Sequence, residues 1–125
     1  MEFQWIKGST TNPAVTIYAN NLTLNNAAAR HLENYRYCML GIDHKTSTIA
    51  IKPVSKRDLD LKIFDPTHMN KISMGKGYAR ISNKSFIDEI NKASSRNTVG
   101  LKFEAYYEES ENMLIVDVLK GEIEI

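Results

Sequence analysis

With a single cysteine, Cys38, among 125 residues, the chain can form no disulfide within itself. Cys38 lies in an apolar, alternating stretch, so we expect a reduced thiol packed as a small hydrophobe in a cytoplasmic protein. Its three histidines, His31, His44 and His68, show no ligand spacing, which excludes the common cysteine/histidine zinc sites and leaves no metal or cofactor to expect. No apolar run approaches the roughly 20 residues that span a bilayer, so no membrane partner is expected. Met1-Glu2-Phe3-Gln4-Trp5 has neither a basic leader nor an apolar stretch behind it, and predicts no secretory signal. No Gly-x-Ser-x-Gly elbow, phosphate loop, dinucleotide fingerprint or His-Glu metal motif occurs, so the reading is a non-enzyme. Gly75-Lys76-Gly77 is too short to cradle a phosphate. Asp43 beside His44 is what a polar hairpin loop produces by chance.

Charge is present but unevenly distributed. The formal net charge is +1. Residues 1–96 hold 14 Lys/Arg against 8 Asp/Glu, a surplus of +6, and residues 97–125 hold 2 against 7, a deficit of −5. A basic body with an acidic end can bind a polyanion on one face, although an ordinary solvated surface accounts for the same counts.

The strongest pattern is an internal repetition of form. Residues 15–54 read as strand, tight turn, short strand, short helix and hairpin, and residues 71–119 read the same way. Residues 1–14 form an N-terminal strand and loop, 55–70 a connector with a short strand over 59–64, and 120–125 a tail. In the first unit Val15, Ile17 and Ala19 alternate with Thr16 and Tyr18, and Asn20-Asn21 supplies a turn because Asn tolerates positive φ. Leu22 and Leu24 share a side, and Asn25 or Asn26 caps a helix whose stripe is Leu24, Ala28 and Leu32. Residues 35–42 and 48–54 form the hairpin, with Pro53 marking a strand end or a sheet edge. In the second unit Gly75 and Gly77 bracket Lys76 in a turn, and Ser82 or Asn83 caps a helix that turns Phe86, Ile87 and Ile90 inward. Residues 99–107 and 112–119 form the last hairpin. Leu101, Phe103 and Ala105 line one strand, and Leu114, Val116 and Val118 line the other. Trp5 is expected to pack over an open end of the core. Glu108, Glu109 and Glu111 at the hairpin tip read as solvent-facing charge.

Gly77-Tyr78-Ala79-Arg80-Ile81-Ser82, the similar Asn20-Asn21-Leu22-Thr23-Leu24-Asn25, and the helix end Ala29-Arg30-His31-Leu32 resemble the turn, short strand and helix of the AbrB-like transcription factors. The layout of two such units in one chain is similar to MraZ-type proteins. Asn20 stands where that family has Gly, Asn21 and Tyr78 where it has a basic residue, and Asn25 and Ser82 where it has Pro. The resemblance implies a swapped-hairpin fold, here an α+β, mostly β, pseudo-dimeric barrel. It also implies a DNA-binding transcriptional regulator that contacts phosphates.

The residues expected to carry that contact are Lys76, Arg80 and Lys84 in the second unit, with Arg30 and Arg36 from the first. Lys and Arg neutralise phosphates and release counterions, and Tyr78 can add a hydrogen bond or a stacking surface. The same side chains are equally at home on a solvated strand surface, where Lys discourages aggregation. The alternative is a protein-interaction or assembly module with the same doubled fold and no nucleic-acid binding, with the acidic last hairpin and Trp5 as contacts. Homodimerisation is compatible with either.

Overall fold

Short apolar alternations separated by Asn, Gly and Ser turns are too brief to stand alone as two-stranded ribbons, so they must find further neighbours. In the computed structural model, which describes residues 1–5 and 12–123, they do so by closing on themselves. The strands are β1 (Ala14–Ile17), β2 (Asn21–Asn25), β3 (Tyr37–Asp43), β4 (Thr48–Val54), β5 (Asn70–Gly75), β6 (Tyr78–Ser82), β7 (Lys102–Glu108) and β8 (Met113–Asp117). They pair antiparallel throughout, in the ring order β1-β2-β6-β5-β3-β4-β8-β7, with β7 returning to β1. Closure gives every strand a neighbour on both sides, although β3 meets β5 only at Tyr37–Lys71 and Cys38–Asn70.

Period-two alternation decides what fills the interior. Val15, Ile17, Leu22, Leu24, Ile49, Ile51, Ala79, Ile81, Phe103, Leu114 and Val116 are all solvent-inaccessible and belong to one core. Eight strands enclose a space that side chains fill completely, so the lumen is a core and not a channel.

Two helical segments complete that core. Asn25 accepts a hydrogen bond from the Ala28 amide at 3.0 Å and starts α1 (Asn26–Ala29). A 3-10 turn, Arg30–Leu32, follows and buries Leu32. Asn83 accepts from the Phe86 amide at 3.0 Å and starts α3 (Lys84–Ser94), which buries Phe86, Ile87 and Ile90. Ser95, at φ 56°, ends that helix in the left-handed region, and its amide reaches back to the carbonyls of Asn91 and Lys92.

Several expectations are corrected. The connector holds no strand over 59–64: Ser55 caps a short helix, α2 (Lys56–Asp60), and a 3-10 turn Pro66–His68 follows. A local serine cap on the Asp58 amide outweighs the β-propensity of Leu, Ile and Phe when no sheet neighbour is offered. β1 ends at Ile17, so Tyr18 and Ala19 are exposed turn residues, and the turn closes through the Tyr18 amide on the Asn21 carbonyl without positive φ at Asn20 or Asn21. Pro53, in contrast, is one residue from the end of β4 and has a strand neighbour on one side only, as its chemistry predicts. It lies opposite Cys38, beyond Ile51 where the β4–β8 ladder ends, so its missing N–H costs no bond there. Trp5 does not cover the core; it is 88% exposed and its ring centroid is 6.2 Å from that of Phe3. Residues 1–5 are not in a strand, and residues 6 and 7 of the expected N-terminal strand lie outside the described residues.

Cys38 is fully buried, and desolvation pushes its thiol from 9.0 up to about 12. The folded protein should therefore resist a thiol-alkylating reagent at pH 8 and react after denaturation, as mass spectrometry would read. Rapid labelling of the folded chain would contradict this burial. The sign for stability follows from a raised folded value. Below about pH 9 the contribution is intact, and it is lost as pH rises toward 12, because only the unfolded thiol ionises in that window. Among the described residues no helix is long and apolar enough to cross a membrane.

Candidate nucleic-acid interface

The sheet built from β1, β2, β6 and β5 turns a distinctive row of side chains outward. Cross-strand pairing sets Ser73 opposite Arg80, Arg80 opposite Thr23, Thr23 opposite Thr16, and Thr16 opposite Lys102 on β7. One arginine is thus flanked by two short hydroxyl side chains, Ser73 and Thr23, with Thr16 next along the row and a lysine three strands away, roughly 14 Å along the barrel surface. Short neighbours leave the guanidinium approachable, and hydroxyls are themselves phosphate ligands.

The next row explains the Gly-Lys-Gly turn. Gly75 lies opposite Tyr78, and a Cβ added at Gly75 would fall 2.1 Å from the Tyr78 Cζ. Only glycine lets that ring lie across the strand. Gly77, at φ 82°, supplies the left-handed residue that the turn needs, and Lys76 stands exposed between the two. Tyr78 and Arg80 are two residues apart and so point the same way, and the Arg80 Cζ is 5.5 Å from the Tyr78 ring centroid. This contact limits the rotamers that Arg80 would otherwise lose on binding.

Charge separates between the two halves of the barrel. None of β1, β2, β5 or β6 contains an aspartate or glutamate, whereas β3, β7 and β8 carry Asp43, Glu104, Glu108 and Asp117. On the acid-free half Lys71 and Arg80 are exposed strand cations, and Lys76 extends them into the turn.

Lys76, Tyr78 and Arg80 are therefore brought together on one hairpin. Lys84 begins α3 beyond the far end of β6, and its ammonium is 3.0 Å from Asp88 in an exposed pair one helical turn apart. Such pairs contribute about 0.3–0.5 kcal/mol, so Lys84 is only weakly held. Arg30 is exposed on the 3-10 turn after α1. The adjacent His31 ring stacks on Tyr107 of β7, with centroids 4.1 Å apart, which ties that turn to a different element. Arg36 precedes β3 and lines a cavity with Tyr35, Tyr37 and Lys56. Ser73, Thr16, Thr23 and Lys102 were missed as members of the row, and Lys71 as a further exposed cation on β5. Alternation from Arg80 identifies outward positions on its own strand, but the neighbours come from ring closure.

Elsewhere, Asp43 is a loop cap that accepts from the amides of Lys45 and Thr46. Asp65 has its carboxyl held below the ordinary value, first by the Thr67 amide and then by the Thr67 hydroxyl, with smaller help from the charge of His68. Among the described residues no group of three or more His, Cys, Asp or Glu is placed to hold a metal. No protein-family model, curated protein or solved structure matches the chain.

Proposed function

We propose that this chain is a cytoplasmic DNA-binding regulator of AbrB-like type that acts by binding rather than catalysis, and that it contacts the phosphate backbone through the outer face of β5 and β6. The observation that carries this reading is the acid-free half-barrel with Lys71, Lys76 and Arg80 exposed on it. A surface without carboxylates adds no repulsion to an approaching phosphate, and each cation that meets one releases a counterion.

The same reading holds the barrel to be a pseudo-dimer of two swapped-hairpin units, and three features support it. The β2–β6 ladder is centred on Thr23 opposite Arg80, with Leu22 facing Ile81 and Leu24 facing Ala79 on either side. The β4–β8 ladder, the corresponding contact between the two hairpins, runs from Thr48 opposite Asp117 to Ile51 opposite Leu114. Each unit's hairpin loop also touches the other unit's helical segment. The Ser47 hydroxyl donates to the Ala93 carbonyl on α3, and the Asn112 amide group donates to the Tyr35 hydroxyl beyond α1. Ser47 and Asn112 both adopt positive φ.

Binding of random-sequence duplex DNA across a salt series tests the proposal. Affinity that falls steeply and linearly in logarithmic coordinates is the expected result, because phosphate contacts are paid out in released ions. No binding at low salt would end the regulator reading. One observation would then favour the interaction module. Gly41, Ala50, Ile115 and Tyr106 form a cross-strand row of small or apolar residues on the opposite half of the barrel, with Tyr106 57% exposed. Such a row suits sheet-on-sheet packing against a second copy of this chain.

A further inference from the structure

Where β3 leaves the helical turn and meets α2, the surface opens into a cavity of about 340 Å³ lined by Asn34, Tyr35, Arg36, Tyr37, Val54, Lys56 and Leu59. That volume is at the small end of ligand pockets. Its chemistry is one-sided. Arg36 and Lys56 contribute two cations, the lining contains no carboxylate, and neither cation forms an ion pair among the described residues. Tyr35 and Tyr37 supply aromatic surface, and Val54 and Leu59 supply apolar surface.

The walls are held from several sides. The Tyr35 amide donates to the Leu32 carbonyl at 3.0 Å, and the Tyr35 hydroxyl accepts from Asn112 Nδ2 at 3.2 Å. Asn112 is in turn fixed by the Tyr107 hydroxyl, which donates to its Oδ1 at 2.5 Å. The Arg36 carbonyl accepts from the Ile72 amide at 2.8 Å. Tyr37 is paired with Val54 on one side and Lys71 on the other. Lys56 stands in the first turn of α2, which Ser55 caps. The backbone beneath both cations is therefore fixed by β-ladders or a helix cap, so they can receive a ligand without a folding cost.

We infer that this cavity binds a small phosphorylated molecule carrying a planar ring, of the nucleoside monophosphate class. Arg36 and Lys56 take the phosphate, Arg36 through its planar pair of N–H donors. Tyr35 and Tyr37 contact the ring, and the Asn34 amide is available to a ring nitrogen or carbonyl. The inference stands apart from DNA binding, since the cavity does not include Lys76, Tyr78 or Arg80.

Titration of the full chain with AMP, followed by backbone amide NMR shifts, is the test. AMP should give saturable shifts confined to residues 34–37 and 54–59. Adenosine and inorganic phosphate should each bind at least tenfold more weakly than AMP. Arg36→Ala and Lys56→Ala should each reduce AMP affinity by about tenfold, and both side chains are exposed enough for the fold to survive. Tyr37→Leu should weaken AMP while leaving inorganic phosphate unchanged. The inference is overturned by no shift at millimolar AMP, by shifts centred on Lys76 and Arg80, or by AMP binding that survives both cation substitutions. Equal affinity for adenosine would overturn it as well.

Discussion

Arg80→Glu should remove most binding to duplex DNA while leaving the barrel folded. Arg80 is exposed on β6, opposite Thr23 and Ser73, and its only charged or aromatic contact among those described is the Tyr78 ring. Surface substitutions of this kind change stability by no more than about 0.5 kcal/mol, so the melting temperature should hold. Binding should not. Loss of one phosphate contact lowers the logarithmic salt slope by about one, and the new carboxylate adds repulsion on a face that has none. Together these amount to roughly a ten- to hundredfold loss of affinity at moderate salt, or about 1.4–2.8 kcal/mol. Lys84→Gln is the informative comparison. Lys84 is already next to Asp88 and lies on another element, so its removal should change affinity several times less than Arg80→Glu. Fluorescence anisotropy with a labelled duplex at several salt concentrations reads both variants. A folded Arg80→Glu protein that binds as before would take Arg80 and its row out of the interface.

The largest effect on stability is expected at Phe103. It is fully buried and is the largest side chain so enclosed. It sits where β7 meets Val15 of β1 and, through an isolated bridge, Glu122. The Arg96 Cζ is 5.7 Å from its ring centroid, and the Arg96 guanidinium also donates to the Val118 carbonyl at 2.9 Å. Phe103→Ala removes the ring from the seam that closes the barrel, at a cost of about 3–5 kcal/mol. For a chain of this size that lowers Tm by roughly 10–20 °C, measurable by calorimetry. Tyr106→Ala, three residues along the same strand and 57% exposed, should cost far less. Similar losses at the two positions would mean that β7 does not close the barrel as described.

Local features of the chain were largely legible because their causes are local. Asn25 and Asn83 cap their helices through their own side chains, within three residues. Gly75, Lys76 and Gly77 make a turn because the residues themselves permit it. Leu22 with Leu24, Phe86 with Ile87 and Ile90, and Leu114 with Val116 and Val118 are buried as their spacing requires. Residues 59–64 failed for an equally specific reason. Their apolar content suggests a strand, but a strand exists only where another strand accepts it, and the ring is already closed without them. Trp5 failed as well: it lies outside every strand, is 88% exposed and does not pack on the core. The candidate interface was half legible. Lys76, Tyr78 and Arg80 follow from alternation within one hairpin, whereas Arg30 and Arg36 were grouped with them on charge alone.

The amino-acid sequence by itself determined the turns, the helix caps and the inward and outward faces of each strand, because these depend on side-chain chemistry and backbone freedom over a few residues. Tertiary structure alone decided which strands became neighbours. That choice put Ser73, Arg80, Thr23, Thr16 and Lys102 in one row, set the acid-free β1, β2, β6 and β5 side by side, and drew Arg36 and Lys56 to a common cavity. The physical reason is that a barrel closes through pairings between residues far apart in the chain, and the register of such a pairing is set by the whole core together, not by any segment that contributes to it.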